Sequence, residues 1–184
     1  MGNVSFKNVI IVISLVLLGI QTSLYKGYGD DLDSHGLILS FISAYENGVY
    51  SSSRFYGSPF GELFYGFIGY NFGSFLGSFF SYCFFLFSII LIFFSYSKNR
   101  LNQKDLFLFI LICLSNPVLY LDNTNPSDYP LSLFLFSAAL FLFKKNYKIY
   151  SIIFFALAIA TRANFALLII VFLIYEIFKN RKDY

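Results

Sequence analysis

Apolar residues fall into six runs along the chain, and polar or charged residues separate each run from the next. The runs are Val9 to Tyr25, Ser74 to Tyr96, Leu106 to Leu121, Tyr129 to Phe143, Tyr147 to Ala160 and Ala163 to Phe178. A helix needs about 20 apolar residues to cross a membrane, and several of the runs are shorter. The pattern predicts an all-α polytopic membrane protein with about six transmembrane helices in one membrane domain, residues 1–184.

The fifth and sixth runs are compatible with two arrangements. They form either a thin hairpin that turns between Thr161 and Asn164 or one long tilted helix from Tyr147 to Phe178. The single helix would place Arg162 in the middle of the membrane, where a charge is costly. The distribution of charge along the chain favours the hairpin.

Composition excludes a soluble protein. Of the 184 residues, 58% are hydrophobic and only 12% are charged, whereas soluble domains carry roughly 25% charged residues. Cys83 and Cys113 both lie inside apolar runs, which excludes a disulfide framework and a thiolate metal cage. No basic cluster is long enough to bind nucleic acid. Membrane lipids are therefore the main surroundings of the chain.

The distribution of charge predicts the orientation in the membrane. With six crossings and a cytoplasmic N-terminus, ten of the 13 basic residues lie on the cytoplasmic side. The outer side holds Lys26, Arg54 and Arg162 together with seven of the ten acidic residues. By the positive-inside rule both termini are cytoplasmic. The richness in Phe, Tyr, Ile, Asn and Lys favours a bacterial plasma membrane.

The largest polar segment is the outer loop, residues 26–73, between the first and second runs. Within it, Ile38, Phe41, Ile42 and Tyr45 recur at helical spacing and predict a short amphipathic helix on the membrane surface. A serine followed by proline at 58–59 then predicts the start of a second surface helix, which runs to about residue 70. Between these helices lies a polar strip, residues 50–57, whose serines and glycine suit the close approach of a ligand.

An acidic stretch directly follows the first run and contains Asp30, Asp31 and Asp33. Three carboxylates so close together repel one another, so either one pKa is raised or a cation lies among them. A carboxylate at this position can take the proton of an attacking hydroxyl, or can help to hold a divalent cation such as Mg²⁺ or Mn²⁺. The alternative is a solvated acidic turn that caps the next helix.

Several short motifs follow one another in a definite order. They are Asp30-Asp31, Asn47-Gly48-Val49-Tyr50, Ser53-Arg54-Phe55-Tyr56-Gly57-Ser58-Pro59, Glu62-Leu63, Asn116-Pro117, Ser127-Asp128-Tyr129-Pro130 and Ala158-Ile159-Ala160-Thr161-Arg162. This order, which covers nearly the whole chain, resembles the integral-membrane glycosyltransferases of the GT-C fold. That group includes bacterial protein O-mannosyltransferase-like and aminoarabinose transferase-like enzymes.

The resemblance implies the inverting transfer of a sugar from a polyprenyl-phosphate donor to an acceptor on the outer face of the membrane. It makes Asp30 and Asp31 the candidate catalytic bases or cation ligands. The residues that it implies for donor binding are Arg54, Asp128 and Arg162, and further candidates in the loop are Asp33, Tyr56 and Glu62. For Arg162 the alternative is a topology anchor at the membrane interface.

Members of this family usually carry more membrane spans than the six runs provide. We therefore expect the chain to need a missing C-terminal half or a partner subunit. A non-catalytic assembly or transporter-like subunit with the same fold is the main alternative function, and a polysaccharide polymerase or ligase is a second. A transporter should have charged or broken helices at mid-membrane, and the runs carry no charge apart from Lys148 and Glu176, each near the end of a run, with Arg162 between the last two runs.

Overall fold

Helices make up the secondary structure of the described part of the chain, which comprises residues 6–27, 32–53, 58–96 and 103–181 of the computed structural model. Within these ranges there are nine helices and no strands. The helices are α1 (Phe6–Lys26), α2 (Leu32–Asn47), α3 (Pro59–Phe72), α4 (Ser74–Tyr96), α5 (Gln103–Ser115), α6 (Pro117–Asn123), α7 (Asp128–Lys144), α8 (Lys148–Thr161) and α9 (Phe165–Arg181). The predicted all-α class is confirmed.

Two of the described helices are long and apolar enough to cross a membrane, namely α1, over Asn8–Lys26, and α4. The bent pair α5 and α6 makes a third if the two count as one span. The fifth and sixth runs give only 14 apolar residues each, in α8 and α9. A helical segment of that length is about 21 Å long, whereas the hydrocarbon core of a bilayer is about 30 Å thick. Two to three candidate spans are therefore present, and the prediction of about six crossings is not confirmed.

The third run is not one straight helix. Its axis bends by 76° between α5 and α6. Asn116 caps the new helix, because its side chain accepts hydrogen bonds from the backbone N–H groups of Val118 and Leu119, and Pro117 occupies the first helical position. Tyr120 then ties α6 to α1 by donating to the carbonyl of Leu18 at 3.1 Å.

The fifth and sixth runs form a hairpin, not one long helix. The helical conformation is interrupted at Arg162, whose backbone is extended, with φ −153° and ψ 112°. Ring pairs then show that α9 runs beside α7 in the same direction, with centroids 5.6 Å apart for Phe136 and Phe165 and 5.3 Å apart for Phe143 and Phe172. Helix α8 runs opposite to both, so the start of α7, the end of α8 and the start of α9 lie at one end of the bundle. We call it the Arg162 end.

The outer loop contains the two predicted helices, α2 and α3, and their position on a membrane surface stays a prediction. The predicted apolar face of α2 is only partly right. Phe41 does pack against α3, where Gly66 leaves room for its ring, but Tyr45 is 68% exposed. The buried face of α2 consists instead of Ser34, Leu37 and Ser40, because small hydroxyl side chains let this helix lie close to its neighbours.

Candidate functional site

Three helix ends converge at the Arg162 end: the start of α3, the start of α7 and the end of α8. Ser58 precedes α3, and its hydroxyl donates a hydrogen bond to the carbonyl of Thr161 instead of capping its own helix. Gly61 makes the close approach possible, since a Cβ atom there would lie 3.3 Å from side-chain atoms of both Asp128 and Thr161. The outer loop is therefore fastened directly to α7 and α8.

The charged centre of this region is an ion pair between Asp128 and Arg162. A guanidinium N–H of Arg162 donates to Oδ1 of Asp128 across 2.8 Å, and the side chains are 14% and 1% exposed, respectively. The guanidinium carbon also lies 3.2 Å from the centroid of the Tyr129 ring. Each charge lies at the helix terminus that favours it, since Asp128 begins α7 and Arg162 follows the last turn of α8. Two of the three predicted donor-binding residues, Asp128 and Arg162, are thus paired with each other.

Glu62 is fully buried and holds the polar strip in place. Its carboxylate accepts hydrogen bonds from the backbone N–H of Ser53 at 2.8 Å and from the Ser53 hydroxyl at 2.5 Å. It also accepts one from the Tyr50 hydroxyl. Burial, then the hydrogen bond to Glu62 and its charge, raise the pKa of Tyr50 to about 12. The strip up to residue 53 is therefore fixed to the first turn of α3.

A cavity of about 530 Å³ opens beside this region. Its polar wall includes Asp33 from the start of α2, Asp122 from α6, and Asn125 and Ser127 from the turn before α7. Tyr129 and Phe165 contribute aromatic rings to the wall. The cavity therefore joins the outer loop to the turns at the Arg162 end, and Tyr129 links it to the ion pair.

Two buried polar atoms beside the cavity have no hydrogen-bond partner among the described residues: Oδ1 of Asn125 and Oγ of Ser127. Ser127 is the N-cap residue of α7, yet its hydroxyl makes no capping hydrogen bond. A buried polar group without a partner costs about 1–3 kcal/mol. Both atoms have almost no accessible surface, so they are enclosed by the protein and do not face the open space of the cavity.

The structure brings together only some of the residues predicted from the sequence. Asp33 lines the cavity, Glu62 lies beneath the polar strip, and Asp128 and Arg162 form the ion pair. Four predicted residues lie outside the described part of the chain, namely Asp30, Asp31, Arg54 and Tyr56. Sequence reasoning missed the roles of Asn125 and Ser127. The signal available was the polar stretch 122–128 between two apolar runs.

A metal site is not formed by the residues that the structure describes. Among them, no group of three or more His, Cys, Asp or Glu side chains is arranged to hold a metal ion. The predicted cation ligands Asp30 and Asp31 lie outside that part of the chain.

No protein-family model matches the chain, and no curated protein or solved structure matches it either.

Proposed function

We propose that this protein is an integral-membrane glycosyltransferase of the GT-C type, or the catalytic module of one, that uses a polyprenyl-phosphate sugar donor. The observation that carries the proposal is the cavity at the Arg162 end. Its wall combines Asp33, two residues from Asp31 in the sequence, with the turn that leads into the Asp128–Arg162 ion pair. Ser58, Asp128 and Arg162, which belong to three of the motifs, lie in this region, and their proximity supports the proposal.

The chemistry needs a base, a nucleophile and a leaving group. In the proposed reaction a hydroxyl of the acceptor attacks the anomeric carbon of the donor, and Asp31 or Asp30 takes the hydroxyl proton. The new glycosidic bond forms as the bond from the anomeric carbon to the phosphate oxygen breaks. The electron pair of that bond leaves with the polyprenyl phosphate, whose isoprenoid chain stays among the apolar helices.

The surroundings of the site suit a lipid-linked donor. Large apolar side chains of α1 and α9 are exposed on the outside of the bundle, among them Leu17 at 59% and Leu167 at 70%. Surfaces of this kind are stable against lipid but not against water. A donor that slides along the bilayer reaches the cavity without leaving the membrane, and a site with limited access to water limits hydrolysis of the donor.

The ion pair also favours a second function, that of a non-catalytic assembly subunit. Because Arg162 and Asp128 neutralise each other and are largely buried, the pair stabilises the junction of α7 and α8 whether or not a phosphate binds. In this alternative the outer loop serves as a contact surface for another membrane protein.

Transfer of a radiolabelled sugar tests the first proposal. The full chain is placed in membranes that contain a polyprenyl-phosphate sugar, and transfer is compared for the wild type, Asp30→Asn, Asp31→Asn and the control Asp105→Asn. Asp105 is an exposed aspartate in the first turn of α5. We expect Asp31→Asn to abolish transfer while membrane insertion and the control stay normal. Unchanged transfer in both Asp30→Asn and Asp31→Asn would refute the proposed role of these aspartates as the base.

The proposed orientation, with the Arg162 end outside, is tested separately. Single cysteines replace Ser52 in the polar strip and Lys145 after α7, in a chain whose Cys83 and Cys113 are changed to serine. A membrane-impermeant maleimide applied to intact cells should label position 52 and leave position 145 unlabelled. The opposite labelling would place the cavity in the cytoplasm and exclude a donor on the outer face.

A further inference from the structure

The turn between α7 and α8, at the opposite end of the bundle from Arg162, carries three lysines within five residues. They are Lys144, Lys145 and Lys148. We propose that this turn, together with the exposed face of α8 that follows it, binds anionic phospholipid at the surface of the bilayer. The inference does not depend on the proposed sugar transfer, whose cavity lies at the Arg162 end.

Two of the three lysines keep their positive charge available. Within the described ranges Lys144 pairs with Glu176 at 2.5 Å, whereas Lys145 and Lys148 form no ion pair there. Both of these side chains are exposed. The sequence from 129 to 175 contains no acidic residue that could offset them. The turn therefore presents a net positive charge to its surroundings.

The backbone of the turn is satisfied by the chain itself, so recognition falls to the side chains. The N–H groups of Lys145, Asn146 and Tyr147 donate to carbonyls in the last turn of α7. Asn146 adopts the left-handed conformation, with φ 65°, that commonly ends a helix. The Lys145 ammonium lies 5.8 Å from the centroid of the Phe141 ring, a cation–π contact that restrains the side chain. The lysines are thus carried by a defined turn.

An apolar face of α8 begins directly after these charges. Ile149, Ile152 and Ile153 follow one another at the i, i+3 and i+4 spacing of one helix face, and they are 74%, 67% and 50% exposed. Tyr147 and Tyr150 are also exposed, and tyrosine is typical of the level where lipid headgroups meet the acyl chains. Charge, tyrosine and hydrocarbon therefore adjoin one another on this surface.

An anionic phospholipid has the same arrangement of charge and hydrocarbon. Its phosphate can approach Lys145 and Lys148 while its acyl chain covers the isoleucine face of α8. Free phosphate would leave that face in water, which is unfavourable for apolar side chains. An acidic segment of another protein would pair with the lysines but would need a separate apolar part for the isoleucines. A bilayer around α8 supplies both parts at the required depth.

Quenching of a single tryptophan tests the proposal, because the chain contains no tryptophan of its own. The full chain with Tyr147→Trp is placed in vesicles of phosphatidylcholine that contain increasing fractions of brominated phosphatidylglycerol or brominated phosphatidylcholine. The anionic brominated lipid should quench more strongly at equal mole fraction. Leu17→Trp is the matched reporter, since Leu17 is 59% exposed in the middle of α1, and both lipids should quench it equally. Equal quenching by the two lipids at position 147 overturns the proposal.

Charge variants in the Tyr147→Trp chain identify the residues responsible. Lys145→Gln and Lys148→Gln should each lower the preference for the anionic lipid about fivefold, the effect of one lysine near an anionic surface. The double variant should remove the preference. Lys104→Gln, at an exposed lysine in the first turn of α5, is the control for net charge. An equal loss in Lys104→Gln would show a general attraction and overturn the assignment to this turn.

Two further outcomes separate the proposal from its alternatives. Lysines that only orient the chain during insertion would leave the lipid preference of the folded protein unchanged in Lys145→Gln and Lys148→Gln, and this result overturns the proposal. Inorganic phosphate added to purely zwitterionic vesicles should not change the emission of the Tyr147→Trp chain, and a change would show a site for free phosphate instead. Loss of sugar transfer has no bearing on either measurement.

Discussion

The Asp128–Arg162 ion pair gives a quantitative prediction about the stability of the Arg162 end. Asp128 is 1% exposed and the side chain of Arg162 is 14% exposed, so either single change breaks an ion pair that is largely buried. Breaking a buried ion pair by removal of one partner costs about 3–5 kcal/mol. Removal of the one partner should not cost the same free energy of unfolding as removal of the other, however.

Arg162→Gln should be the more harmful change, at about 3–5 kcal/mol, because it removes a guanidinium from a carboxylate that is only 1% exposed. Asp128→Asn should cost only about 1.5–3 kcal/mol, the value of a hydrogen bond to a charged group. In this variant the amide oxygen still accepts from Arg162, and the guanidinium keeps its contact with the Tyr129 ring. The double variant removes both charges and should cost about 2 kcal/mol less than the sum of the single variants.

The measurement is reversible unfolding in mixed lipid and detergent micelles, with increasing dodecyl sulfate and helical circular dichroism as the signal. The pair Lys144–Glu176 at the other end of the bundle is the matched control, with side chains that are 27% and 11% exposed. Because Lys144 is more exposed, its coupling to Glu176 should be about 1 kcal/mol or less. Additive effects of Asp128→Asn and Arg162→Gln, or equal costs of the two, would refute this account of the pair.

Three further predictions concern the outer loop. Glu62→Gln should increase hydrogen exchange at the backbone N–H of Ser53, which donates to this carboxylate; unchanged exchange would contradict a fixed strip. The pKa of Tyr50 is raised from 10 to about 12, so the stabilising effect of the Tyr50 hydroxyl is complete below pH 10 and is lost between pH 10 and 12. The melting temperature should therefore fall more in wild type than in Tyr50→Phe over that interval. Gly66→Ala should destabilise the protein by about 1–3 kcal/mol, since the new Cβ would lie 2.0 Å from Cβ of Phe41; a normal melting temperature would show that α2 and α3 are not packed as described.

The sequence predicts most helix positions because each apolar run ends at a clear polar boundary. Ser74 to Tyr96 is both the predicted second run and the helix α4. The third run is predicted as one apolar segment, and in the structure it bends at Asn116 and Pro117. That dipeptide is itself a helix start signal, an N-cap residue followed by a first-turn proline.

The candidate site is less predictable, since its contacts join residues that are distant in the chain. The alternation of spans predicts that Asp128 and Arg162 lie on the same side of the membrane, but not that they form an ion pair across 34 positions. A serine before a helix normally predicts a capping hydrogen bond. Only the structure shows that the hydroxyl of Ser127 makes none.

The short helices α8 and α9 would have a consequence for a bilayer in which they were embedded. Apolar segments of 14 residues are about 9 Å shorter than the hydrocarbon core, and lipids relieve such hydrophobic mismatch by compressing locally. The lipid headgroups and their water would then lie closer to the turn that carries Arg162. Such local thinning would lower the cost of holding a guanidinium at that depth.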